Sequence, residues 1–137
     1  MPEVQDPFSG RWRFNARRSR LSTPLPQVWV QSIGASHDQI VVTENIIRDD
    51  GSQSEVKIWA KFDGTDYPIT GLPIADVMAY QRHDSYSFSG TGKKNGVVVL
   101  TQTVTVDSSG QTLTLIYSFQ SGASQVARGM AVFDRDW

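Results

Sequence analysis

Phe8-Ser9-Gly10-Arg11-Trp12-Arg13-Phe14-Asn15 stands near the start of the chain. Arg128-Gly129-Met130-Ala131-Val132-Phe133-Asp134-Arg135 stands near its end. The two segments read as matched strands. Between them, turn signals follow one another at Asp50-Gly51, Asp63-Gly64, Asn95-Gly96 and Ser109-Gly110. Asp-Gly and Asn-Gly tolerate the positive φ angles of tight hairpins. Looser turns are expected at Ser36-His37-Asp38, Asp84-Ser85 and Ser121-Gly122-Ala123-Ser124. The order predicts an all-β chain: one antiparallel meander whose first and last strands meet and close a barrel of about eight to ten strands.

Working outward, the runs between turns are rich in Val, Ile, Thr, Tyr, Phe and Trp, which suit a pleated, half-buried surface. Strands are expected over 9–14, 27–35, 39–48, 53–62, 66–70, 77–83, 86–93, 97–107, 112–120 and 125–135. Alternation is clear in several. Val56, Ile58, Ala60 and Phe62 share one face, opposite Glu55, Lys57, Trp59 and Lys61. Val98, Leu100, Val104 and Val106 oppose Thr101, Thr103 and Thr105, and Leu113, Leu115, Tyr117 and Phe119 oppose Thr112, Thr114 and Ser118. A period of two places one set inside. The polar face of 53–62 points either to solvent or into a wet cavity; parity alone leaves both open. One short helix is expected over Ala16 to Leu21, with Asn15 as its N-cap, closing one end of the barrel. Pro24 and Pro26 stop anything longer. Gly71-Leu72-Pro73-Ile74-Ala75-Asp76 reads as an ordered loop.

The 137 residues fit a single domain over 8–137, with 1–7 as a flexible tail. Cysteine is absent, which excludes disulfides and thiolate chemistry. A net charge of −1 provides no global field for nucleic acid, although five arginines fall between Arg11 and Arg20. These read as a solvated charged segment. No stretch approaches the roughly 20 apolar residues of a membrane-spanning helix. Residues 1–7 lack a charged-then-apolar leader, so the expected compartment is the cytoplasm, or the periplasm or exterior if a leader has been removed.

Gly10-Arg11-Trp12, with Phe8 before it and Asn15 after it, resembles the start of a calycin, the group of lipocalins and fatty-acid-binding proteins. More closely, the chain is similar to small bacterial lipocalin-like proteins of unknown function. That similarity rests on Gly10 to Asn15, on Lys61-Phe62-Asp63-Gly64-Thr65-Asp66-Tyr67-Pro68 with Gly71 and Pro73, and on Val132-Phe133-Asp134-Arg135. The resemblance implies that Trp12 packs at the closed end under an arginine from the last strand, either Arg128 or Arg135. It implies no catalytic residue.

Two histidines are present. His37 falls in a turn beside Asp38 and is expected in solvent. His83 ends the strand Val77-Met78-Ala79-Tyr80-Gln81-Arg82-His83 and shares a face with Val77, Ala79 and Gln81, opposite Tyr80. It is the candidate acid/base residue, because imidazole titrates near neutrality. Trp29, Trp59, Tyr67, Tyr80, Tyr86 and Tyr117 are candidate pocket-lining rings. Two histidines without cysteine fall short of a metal site, and no Gly-rich phosphate loop or nucleophile elbow occurs. No cofactor is expected.

The leading expectation is binding of a small, largely apolar ligand, aromatic or polycyclic, in the barrel. The alternative is a cofactor-independent cyclase, isomerase, lyase or hydratase that uses His83 in the same cavity. A third is a structural or interaction module with a filled core. Ligand access is expected at the end carrying residues 67–76, with His83 and Tyr80 nearby.

Overall fold

The computed structural model describes residues 5–121 and 124–136. Its strands are β1 (Gly10–Phe14), β2 (Arg20–Leu21), β3 (Val28–Ala35), β4 (Gln39–Ile47), β5 (Gln53–Lys61) and β6 (Tyr67–Thr70), then β7 (Val77–Asp84), β8 (Ser87–Lys94), β9 (Val97–Val106), β10 (Thr112–Ser121) and β11 (Ser124–Arg135). Each of β3 to β10 pairs antiparallel with the next. β1 joins β3 on one side and β11 on the other, at Trp12↔Arg135 and Phe14↔Phe133, which closes a ten-strand barrel. The architecture is consistent with a lipocalin-like fold.

All ten expected strands are present, with ends shifted by a residue or so. The expected helix is not. Asn15 does cap a turn, its side chain accepting from the Arg18 backbone N–H, but the turn is a 3-10 turn of only Ala16–Arg18 with no buried residue. The chain then becomes β2, which pairs with β11 at Gly129 and Met130. Ser19 stops the helix: its hydroxyl accepts from Val132 N at 2.8 Å and donates to Asn15 O at 2.7 Å, so it ties the segment to the barrel wall. The closed end is therefore filled by Trp12 and its neighbours and not capped by a helix.

The expected hairpin tips lie at their turns. Asn95 and Gly96 both have positive φ, 51° and 80°, the signature of a two-residue tight hairpin. Asp63-Gly64 lies in a wider connection, because β5 meets β6 only at Lys57↔Thr70 and Ile58↔Ile69. Gly122 and Ala123 of the last expected turn lie outside the described residues.

Burial follows the alternation. Val56, Ile58 and Ala60 point inward and are buried, whereas Glu55, Lys57, Trp59 and Lys61 are exposed. Phe8, Trp12, Ile40, Leu113 and Phe133 are fully buried and pack one end solid. There the Arg135 guanidinium sits 4.2 Å above the Trp12 ring and donates to Pro7 O, Ser9 O and Gly110 O at 2.8–2.9 Å. Trp12 Nε1 donates to Phe8 O at 3.0 Å. Arg135, not Arg128, fills this position. Gly10 makes room for it: a Cβ on Gly10 would lie 2.5 Å from Arg135 Nη1, and φ there is +134°.

The chain entering β1 is held as well. Asp6 takes two bonds from Arg82, at 2.8 and 3.2 Å, and Arg82 lies 5.3 Å from the Phe8 and Phe62 ring centres. Asp6 is thus fastened to the barrel, and Pro7 O accepts from Arg135.

Trp12→Ala should cost about 3–5 kcal/mol, as for other fully buried aromatics, and should also release the Arg135 contact. Denaturant unfolding of the variant measures this. A loss below about 1 kcal/mol would show that the closed end does not rest on this ring.

Candidate functional site

The other end of the barrel is not filled. A cavity of about 640 Å³ runs down its axis, lined by inward residues of β3, β4, β5, β7, β8, β9 and β10. Its walls are mainly aliphatic, including Ile33, Val42, Ile58, Leu100, Val104 and Leu115. Pro24, Pro26, Leu72, Pro73, Ile74 and Val126 stand at its mouth. The residue 71–76 loop therefore borders the opening, as expected. Residues 23–26 border it too; the chain after β2 belongs to the open end.

Polar groups interrupt this lining at one level. On β4 the inward row is Ile40, Val42, Glu44 and Ile46, so a carboxylate takes an aliphatic place. Gln31 pairs with Glu44 across β3 and β4, and its Nε2 donates to Glu44 Oε2 at 3.1 Å. A second lateral row crosses the sheet as Tyr80↔Gly90, Gly90↔Gln102, Gln102↔Tyr117 and Tyr117↔Gly129. Glu44, Gln31, Gln102, Tyr80 and Tyr117 thereby form a polar belt inside an apolar lumen.

The belt has its own electrostatics. Glu44 meets the cavity on one side and protein on the others, and desolvation pushes its pKa up to about 7. The Gln31 amide, the Trp29 indole and the Arg48 charge pull in the opposite direction and only partly offset burial. The Trp29 N–H leans toward the Glu44 carboxylate, yet no acceptor completes a hydrogen bond to it. Burial, and then the Glu44 charge, push the Tyr80 phenol up, while Gln102 bonds to it; the same two causes raise Tyr117. Arg48, nearer the mouth, donates to Ser52 Oγ at 3.4 Å and Ser54 Oγ at 2.5 Å.

Of the residues singled out from sequence, Trp29, Tyr80 and Tyr117 come together in the cavity, with the Trp29 and Tyr117 rings 6.2 Å apart. The other three aromatics lie elsewhere. Trp59 is on the outer face, 46% exposed, edge-on to Tyr67 at 5.4 Å. Tyr67 donates to Asp63 at 2.7 Å in the outer turn. Tyr86 is 45% exposed at the β7–β8 hairpin.

His83 also lies outside the cavity, exposed, with Nε2 2.9 Å from Ser89 Oγ on the neighbouring strand. The competing face of β7 carries Met78 and Tyr80, whose larger side chains take the lumen. His83 therefore does not meet Tyr80, and chemistry inside the barrel cannot use it in this position. His37 is exposed in its turn. Lys57 pairs with Glu55 at 3.2 Å on the outer surface, which settles the polar face of β5 as solvent-facing. Arg11 and Arg13 bind Asp136, and Arg18 binds Asp134, all at the surface. No cluster of metal-binding side chains occurs among the described residues, and no helix there is long and apolar enough to cross a membrane.

Sequence reasoning missed Glu44, Gln31 and Gln102. The signal was available: each interrupts an otherwise apolar row of alternate positions, between Val42 and Ile46, Trp29 and Ile33, and Leu100 and Val104. No family model matches this chain, and no curated protein matches it.

Glu44 generates a stability prediction with a definite sign. Its pKa rises from an ordinary 4.5 to about 7 on folding, so the folded state holds the extra proton between those values. Stability should fall as pH rises through that window. Glu44→Gln removes the titration and keeps an acceptor for Gln31. The variant should gain on the order of 2 kcal/mol over the parent at about pH 8, discounted for water in the cavity, and much less at about pH 4. Paired melts at the two pH values check this; a difference equal at both would refute it.

Proposed function

We propose that this chain binds a small, largely apolar molecule inside the barrel and belongs with the lipocalin-like binding barrels. One observation carries the reading: a lumen of about 640 Å³, apolar-walled with a few convergent polar groups. That volume and that lining suit a small organic ligand. A ligand of one or two rings would contact Trp29, Tyr80, Tyr117 and the aliphatic wall, and set its polar atoms against the belt. The open lumen weighs against a module with a filled core. The cofactor-independent enzyme reading loses the support of His83, which stands on the outer face.

Titration with N-phenyl-1-naphthylamine, a neutral apolar fluorophore, tests the reading. Fluorescence should rise and saturate near one dye per chain. Ile46→Trp, which fills the upper lumen, should weaken binding at least about ten-fold, or about 1.4 kcal/mol. His83→Ala should leave it unchanged. Binding that survives Ile46→Trp but is lost in Ile116→Lys would place the dye on the outer wall and end the proposal.

A further inference from the structure

We propose that the ligand is an organic amine: an apolar, ring-bearing body with one ammonium group seated against Glu44. The inference rests on the cavity being a binding site and names the chemistry of its occupant.

Glu44 is a carboxylate in the middle of an apolar lumen, and no Lys, Arg or His among the described residues lies within ion-pair distance of it. A buried charge without a counter-charge is costly. The protein nevertheless equips this group as an acceptor. Gln31 donates to it, and the buried Trp29 N–H leans toward it with no hydrogen bond completed. The Gln31 hydrogen bond favours its charged form. What is missing is a cation.

The charged and titratable groups around Glu44 do not supply one. Arg48, which follows Glu44 beyond the end of the same strand, acts on it by charge alone: it is held by Ser52 and Ser54 and makes no ion pair with Glu44. Tyr80 from β7 and Tyr117 from β10 are phenols that burial keeps neutral. β5 contributes Val56 and Ile58, and Asp49 at the mouth carries the wrong sign. The walls suit an ammonium. Trp29, Tyr80, Tyr117, Phe88 and Phe119 surround the lumen, and aromatic faces attract desolvated cations. A carboxylic acid would meet Glu44 with like charge. A neutral ligand would leave the carboxylate unpaired, or would require it to keep a proton.

Calorimetry on the full chain with three naphthalene probes tests this: 2-(1-naphthyl)ethylamine, 2-(1-naphthyl)ethanol and 3-(1-naphthyl)propanoic acid. At about pH 8 the amine should bind at least about ten-fold tighter than the alcohol, and the acid weakest. At about pH 5.5 the amine's advantage should shrink, because Glu44 then takes up a proton before the amine can pair with it. Glu44→Gln, shown to be folded by its melt, should bring the amine down to the alcohol's level. An alcohol that binds as well as the amine would overturn the inference and leave the binding cavity standing. So would an amine advantage that survives Glu44→Gln. Failure of all three probes to bind, together with failure of the neutral fluorophore, would overturn both readings.

Discussion

Closure of the sheet depends on one guanidinium. Arg135 lies at the end of the last strand and reaches across the seam to the first. It covers Trp12, takes three backbone carbonyls, and occupies the space left by Gly10. Three charge-assisted hydrogen bonds and a cation–π contact at one residue are unusually dense. They must be, because β1 meets β11 over only three residue pairs. A short seam with few ladder bonds needs side-chain help, and sealing it removes the sheet's exposed edges. The carbonyl partners Pro7 and Ser9 also fix how the chain enters β1, which sets Phe8 against Phe88 at 4.8 Å and fills that end.

Filling one end leaves the other free to stay open. Aromatic packing continues up one wall from Phe133 to Trp29 and Tyr117, at centroid distances of 5.0 and 6.2 Å. The rings therefore serve the core below and line the lumen above. The same residues hold the scaffold rigid and present the site. Above them β6 is short, and the 71–76 loop arches over the rim instead of continuing the wall.

Much of this was legible in the sequence because β structure writes itself with a period of two. Ten strands follow from alternation and turn dipeptides, and the open end from the long irregular connection at 71–76 opposite the Trp12 end. What alternation could not resolve was which face of a strand turns inward when both carry apolar residues. On β7, Val77 and Ala79 compete with Met78 and Tyr80; the larger pair wins the lumen and takes His83 to the outside. Trp59 misled for a related reason. An aromatic ring suggests burial, but its neighbours Glu55, Lys57 and Lys61 bind it to the solvent face. β2 was hidden because Ser19 is an ordinary turn residue in sequence, and only the distant Val132 makes it an anchor. Glu44 was hidden by expectation: a carboxylate in an inward row reads as an error in the pattern until the cavity is seen.

Natural sequences break local rules where function requires it and offset the cost elsewhere. The polar belt breaks such rules twice. Glu44 costs stability above the ordinary carboxylate range. The residues opposite it are also arranged to preserve space. Tyr80 lies across Gly90 and Tyr117 across Gly129, so closely that a Cβ would stand 2.8 Å from the first ring and 2.6 Å from the second. Any larger residue at 90 or 129 would force the rings off the wall. Glycine weakens a strand, so two glycines under two tyrosines are a second sacrifice of stability at the same level of the barrel. A core selected for packing alone would place a small aliphatic side chain at each glycine and an isoleucine at position 44. This barrel does neither, and both departures lie in one ring around one cavity.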